Sequence, residues 1–395
     1  MNPAFGVKHL TLFLSHQFPC MRKVYGLFYN ILPIKKVQTD DELYLLNDAE
    51  VAAIRKRERI AIISAAFFGA MGVVLLVIPQ HLFPGYFPGT NIIAFGKTFT
   101  LPLVFWVYSI VLVYIELLLL TLLNIWVAHE MAVATGFLNY SNKGAEHKRN
   151  LMLDIGLEKK NRQVLEYGID PLQQANRKVI LVWNLMFMLK ATLSNFVFKL
   201  FIQRVFGRYM VQMLRDMAGI PIFAFWNAYG THVILNKAKI IIMGQNFIEG
   251  ISQSIYKVQP ETPEFKAMLY DTLQFIAISK RDFHENHFLL TKNLFALYNI
   301  TAKDKHLLTD DYLDRVKSLE TKEKNIVLLL IITGFLLDGK ISFREKQTIR
   351  EMNRHGVFEE TEANISRWSH DFLYGKGLDE LLTKYLGEAY KMNVA

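Results

Sequence analysis

Ile60 to Pro79 is a run of 20 residues without a charge (IAIISAAFFGAMGVVLLVIP), and no other feature constrains the chain as much. At about 1.5 Å of rise per residue it makes a helix about 30 Å long, which matches the hydrocarbon core of a bilayer. A second run, Thr98 to Ala128, contains one charge, Glu116, and exceeds the length of one crossing. Its surplus is expected to continue beyond the bilayer. Between the two lies PQHLFPGYFPG, whose prolines and glycines suit a turn. The expectation is a transmembrane hairpin over 55–130, with helices at about 60–79 and 101–128. A hairpin buried inside a soluble protein is the alternative.

Basic residues orient the hairpin. Arg55, Lys56, Arg57 and Arg59 precede the first run and Lys143, Lys148 and Arg149 follow the second, while the loop between holds only Lys97. Cytoplasmic flanks are enriched in Lys and Arg, so both ends of the chain are expected in the cytoplasm of a multi-pass protein of the cell inner membrane. Phe83, Tyr86, Phe87, Phe99 and Trp106 on the outer side, with Trp126 on the inner, suit interfacial aromatic belts. Glu116 lies about 22 Å into the second crossing by helical rise, in the inner half of the bilayer. An ionisable group there costs about 2.5–3.5 kcal/mol on insertion scales, so Glu116 is expected to face protein. It reads either as an ion or proton site or as a carboxyl that holds helices or subunits together.

With 395 residues, 52% hydrophobic content and mean hydropathy +0.18, the chain lies between a soluble and a polytopic protein. The net charge of +9 is uneven: residues 259–395 carry 19 Lys and Arg against 21 Asp and Glu, leaving 26 against 15 for residues 1–258. The basic excess therefore belongs to the membrane-proximal part. It favours anionic lipids as its counter-surface over nucleic acid, because no basic arm or nucleic-acid motif accompanies it. A single cysteine, Cys20, excludes a disulfide framework and any zinc site built from several cysteines.

Residues 1–54 form an apolar segment interrupted by Lys8, His9, His16, Arg22 and Lys23, with no signal-peptide pattern. It reads as an amphipathic cytoplasmic segment, lying on the membrane or packed on a later domain. A capping box at Thr39–Glu42 is expected to begin a helix (ELYLLNDAEVAAIRKRER) that runs into the first crossing. Beyond the hairpin, 131–258 reads as a membrane-proximal helical domain. Its two apolar stretches, 179–206 and 217–236, are interrupted by Lys190 and Lys199 and separated by Arg208 and Arg215. Two further crossings within 179–236 stay open as the alternative, because Met217–Asn236 alone is long enough to span. Arg204, Arg208 and Arg215 share one helical face and are expected to meet anionic lipid at the inner leaflet.

After Val258-Gln-Pro-Glu-Thr-Pro263 the pattern becomes that of ordinary soluble helices. Thr262 suits an N-cap with Pro263 at the first helical position, and further starts are marked by Thr301-x-x-Asp304, Thr321 and Ser342-x-x-Glu345. Helices are expected near 263–280, 284–298, 309–319, 321–337, 342–354, 360–373 and 377–391. The fold class is thus all-α: a two-helix transmembrane hairpin, a membrane-proximal helical domain and a C-terminal helical bundle over 259–395.

The run IVLLLIITGFLLDGKISFREKQTIREMNRHG resembles the second half of a TerB-like domain, the all-helical module of bacterial tellurite-resistance proteins. The resemblance rests on an apolar helix ending in an Asp-Gly turn, Asp338-Gly339, with Glu345 seven residues on. The stretch LQFIAISKRDFHENHFLLTKNLFALYNI resembles the first half, with Asp282 in place of the turn Asp and Leu289 where the later acid would stand. The resemblance implies Asp338 and Glu345 as ligands of a divalent cation of the calcium or magnesium type. The structural alternative is that Gly339 ends one helix in the left-handed conformation and Ser342 and Glu345 cap the next.

His284-Glu-Asn-His287 lacks the i, i+4 histidine spacing of a zinc protease, and no phosphate-binding loop, dinucleotide fingerprint or serine elbow occurs. A non-enzymatic membrane-anchored scaffold or sensor is therefore expected, homo-oligomeric and binding a protein partner through 259–395. The TerB-like resemblance implies a role in envelope or metal stress. An oligomeric channel around Glu116 and a lipid-binding membrane protein are the alternatives.

Overall fold

The computed structural model describes residues 19–33, 46–94, 97–138, 148, 151–153, 155, 163–173, 216–259, 261–282 and 284–387. The architecture is helical, with two helices long and apolar enough to cross a membrane: α2 (Asp48–Leu82) and α3 (Leu103–Ala134). Ahead of them α1 (Pro19–Ile31) buries Tyr25 and Tyr29 and exposes Leu27 and Ile31. The Tyr29 ring meets His129 of α3 edge-on at 5.1 Å, so this part of the N-terminal segment is packed on a later element.

Helix α2 starts at a capping box that begins at Asn47, eight residues past Thr39. The Asn47 side chain accepts from the Glu50 amide at 2.8 Å, and the Glu50 carboxylate accepts from the Asn47 amide at 2.9 Å. Leu46 and Asn47 therefore precede the helix, and the Thr39–Glu42 box lies outside the described residues. The loop between α2 and α3 holds a feature the periodicity did not signal, an antiparallel hairpin of β1 (Thr90–Ala94) and β2 (Lys97–Leu101) with Ile92 opposite Phe99. Along α3 the side chains of Val107, Ile110, Val111, Val113, Ile115 and Leu117 are exposed. A core helix of a soluble protein would bury such a surface, whereas a bilayer covers it.

Helix α4 (Ile220–Val258) is 39 residues long, about 58 Å by helical rise, and ties the two parts of the molecule together. Its first half runs antiparallel to α2. Asp216, just before it, lies 3.4 Å from His81 near the C-terminal end of α2, and His232 lies 3.6 Å from Glu58 nearer its N-terminal end. In its second half Met243, Phe247, Ile248, Ile251 and Ile255 are buried in the core of the C-terminal helices. The expected two-helix hairpin is thus a three-helix packing at this level, and the boundary placed at 258/259 cuts through a single core. The intervening stretch 163–173 also sits on the C-terminal bundle: Gln274 donates to the Asp170 carbonyl and accepts from the Asp170 amide, both at 3.1 Å.

That bundle comprises α5 (Pro263–Lys280), α6 (Glu285–Leu297), α7 (Tyr312–Ser318), α8 (Thr321–Leu336), α9 (Phe343–Arg354), α10 (Glu362–Leu373) and α11 (Asp379–Leu386). Each corresponds to an expected helix. Thr262 caps α5 by accepting from the Phe265 amide at 3.2 Å, as its position before Pro263 suggests. Thr301-x-x-Asp304, by contrast, starts no helix and lies in the loop before α7. Helix α8 is the centre: every residue from Ile326 to Leu336 is buried, which explains why this stretch lacks a polar stripe. Gly334 brings α5 close, since a Cβ there would stand 2.5 Å from Ile276.

Candidate functional site

The hairpin and α4 converge on Glu116. Asn227 Nδ2 of α4 donates to Glu116 Oε1 at 2.5 Å. From α2, Gly72 leaves the room that the carboxylate occupies, since a Cβ there would lie 2.7 Å from Glu116 Oε2. One turn away, Gly69 admits the α4 backbone; its Cβ would stand 2.5 Å from the Phe223 carbonyl oxygen. Small residues at such positions let apolar helices approach closely, and the polar pair then links them. Glu116 therefore faces protein, as the cost of its burial requires. Asn227 was legible only as a polar residue inside an apolar run. Its partner stands 111 positions earlier in the chain.

The structure also brings Asp338 and Glu345 together, but around an ammonium. Lys280 Nζ, at the end of α5, lies 2.8 Å from Asp338 Oδ2 and 3.4 Å from Glu345 Oε1, with its side chain only 2% exposed. A lysine thus stands where the divalent cation was expected. Glu345 also closes the capping box of α9: its carboxylate accepts from the Ser342 amide at 2.7 Å, and Ser342 Oγ accepts from the Glu345 amide at 3.2 Å. Burial pushes the Glu345 carboxyl above its ordinary range, against the pull of Lys280. Gly339 takes the left-handed conformation at φ +72°, with Ile240 of α4 packed where a Cβ would be. In the first half, the left-handed residue is Arg281 at φ 53°, which precedes Asp282, so the two turns are not equivalent.

His284 N-caps α6 by accepting from the Asn286 amide at 3.2 Å, and His287 is buried. Burial, with Lys280 nearby, pushes the His287 imidazole down to about 3, so it is neutral at physiological pH. No group of three or more His, Cys, Asp or Glu capable of holding a metal occurs among the described residues. Between the histidines, Asn286 donates to the carbonyls of Ile240 at 3.0 Å and Leu337 at 2.9 Å, fastening α4, α6 and α8 at one point.

Two further buried acids serve the fold. Burial works against the ionised form of Asp271, but hydrogen bonds from His306 (2.6 Å) and Arg315 (2.7 Å) outweigh it and hold the carboxyl below its usual range. Glu360 is likewise held low, despite burial, by Lys384, Tyr385 and Asn364. Arg204, Arg208 and Arg215 lie outside the described residues. Asp216, next in the chain, is beside His81 near the C-terminal end of α2. No family model, curated protein or solved structure matches the chain.

Proposed function

We propose that this protein is a non-enzymatic membrane-anchored scaffold or sensor, which holds a helical bundle at the cytoplasmic face of the inner membrane and offers it to a protein partner. The observation that carries this reading is α4, one unbroken helix bonded to Glu116 at one end and built into the bundle core at the other. A helix anchored at both ends transmits a shift at either one, because packed interfaces move as units. The TerB-like reading of the bundle belongs to the same proposal and is supported by the Asp338-Gly339 turn and the Glu345 cap.

The topology we propose has four crossings. Gln173 is bonded to Gln274 in the bundle at 2.6 Å, while Asp216 is beside His81 near the opposite end of the hairpin. Helix α4 then returns alongside α2. In a Cys20-free background, cysteines at Thr90 and Met217 are expected to react with a membrane-impermeant maleimide in whole cells, and one at Leu165 to be protected. Protection at Met217 together with labelling at Thr90 would restore the two-crossing arrangement.

The coupling has its own test. Asn227→Ala removes the hydrogen bond to Glu116 and leaves that carboxyl oxygen without its partner, at a cost of about 1–3 kcal/mol. In lipid nanodiscs, amide hydrogen exchange across Ile240–Phe247 is expected to quicken about tenfold. Unchanged protection there would mean that the bundle is merely tethered and senses nothing through α4.

A further inference from the structure

The bundle ends near the bilayer in an exposed aromatic residue among unpaired cations. The inner boundary of the membrane is marked by Ile60, where the apolar run begins. Arg55 lies about 7.5 Å below it by helical rise, at the cytoplasmic edge of a headgroup layer about 5–7 Å thick. Arg55 of α2 and Lys239 of α4 both contact the Tyr374 ring, at 5.1 and 4.4 Å from its centroid, which fixes the height of Lys239 and of its neighbour Ile240. Gly339 packs on Ile240, so the turn between α8 and α9 is at that height too.

The direction of the helices makes this turn a tip. At the far end of the bundle Gln259 donates to Glu323 at 3.0 Å, close to the start of α8. At the near end Leu337, just past α8, shares Asn286 with Ile240. Helix α8 therefore runs towards the membrane and α9 turns back from it. Phe343, the first residue of α9, is 77% exposed, ahead of Leu307 at 58%, the other exposed large apolar residue described in the bundle. Lys340 and Arg344 flank it, both exposed. Beside it a groove of about 360 Å³ is lined by Arg281, Arg344, Ser279, Gln347 and Thr348, with Asp310 and Glu351 also on its walls. Among the described residues none of Arg281, Lys340 and Arg344 makes an ion pair. Burial and the neighbouring Arg344 charge both work against the Arg281 guanidinium.

We infer that the 339–344 tip is a second, peripheral membrane contact, in which Phe343 enters the headgroup layer while Lys340, Arg344 and Arg281 bind the phosphates of anionic lipids. An apolar aromatic residue with basic flanks is suited to that interface, and the negative surface of the cytoplasmic leaflet supplies the opposite charge. The tip would brace the bundle against the bilayer independently of α4. It rests on the membrane-spanning reading of α2 and α3.

The test uses the full chain in nanodiscs, with nitroxide labels on single cysteines in a Cys20→Ser background. Labels replace Phe343, Ile110 on the exposed face of α3, and Tyr256 at the far end of α4. With phosphatidylglycerol present, the Phe343→Cys label is expected to collide preferentially with oxygen, like Ile110→Cys, while Tyr256→Cys favours an aqueous nickel chelate. Removing phosphatidylglycerol, or making Lys340→Glu with Arg344→Glu, lowers the membrane-bound population of the tip by about fivefold for each cation that no longer meets an anionic headgroup. If the 343 label is aqueous in both lipid mixtures while the 110 label is in lipid, the inference is wrong and the tip faces water or a protein. An aqueous 110 label would instead overturn the spanning reading and the peripheral attachment with it.

Discussion

Replacing Lys280 with methionine is expected to lower stability by about 3–5 kcal/mol near neutral pH, because removing one member of a buried ion pair strands the charge of the other. The stranded group is Glu345, whose side chain is 0% exposed and which faces the Lys280 ammonium. Its carboxyl is already pushed above its ordinary range by burial, with that cation in place. Without it the folded-state value rises further, while the unfolded value stays near 4.3. Between those two values the folded state binds more protons than the unfolded state, so stability rises as pH falls. The deficit of Lys280→Met should therefore be greatest at neutral pH and shrink on acidification towards the unfolded value. Thermal unfolding of the full chain in mild detergent, followed by near-ultraviolet circular dichroism across pH, measures this directly. Adding Glu345→Gln should recover much of the loss at neutral pH, since it removes the stranded charge and keeps the shape. A deficit that does not change with pH, or a double variant no better than Lys280→Met, would show that the lysine acts by packing alone.

Gly244→Ala is expected to be nearly as damaging, although alanine is the better helix former. An added Cβ would lie 2.1 Å from Asn286 Nδ2 and 2.4 Å from its Cγ. That amide cannot swing aside without giving up its bonds to the Ile240 and Leu337 carbonyls, both inside the core. Each buried group left unpaired costs about 1–3 kcal/mol, and overpacking adds a similar amount. Alanine's helical preference returns about 1 kcal/mol, for a net loss of about 2–4 kcal/mol. The control lies on the same helix. At Gly250 nothing stands within 4 Å of a Cβ, so Gly250→Ala should be neutral or slightly stabilising. Equal melting temperatures for the two variants would mean that the Asn286 junction does not hold α4 in the bundle.

The difference between the two positions could not be read beforehand. Both are glycines inside one helical pattern, and local sequence does not distinguish Gly244, which faces Asn286 across 42 residues of chain, from Gly250, which faces open space. The same holds at the metal pair. Asp338 and Glu345 are visible as an acidic pair near a turn, but Lys280, which fills the space between them, comes from a helix 58 residues earlier.

What the sequence determined by itself was local. The apolar runs of α2 and α3 follow from composition, the start of α5 from Thr262 and Pro263, the cap of α9 from Ser342 and Glu345, and the end of α8 from Gly339. These signals act within about one helical turn or over one uninterrupted apolar stretch, so a single sequence carries them. The tertiary structure alone decided that α4 is shared between the hairpin and the bundle. Met217–Asn236 is mixed in character, with Asn227 and His232 among apolar side chains. Its place depends on Glu116, Gly69 and Glu58, which lie more than 100 residues away and become its partners only once the helices pack.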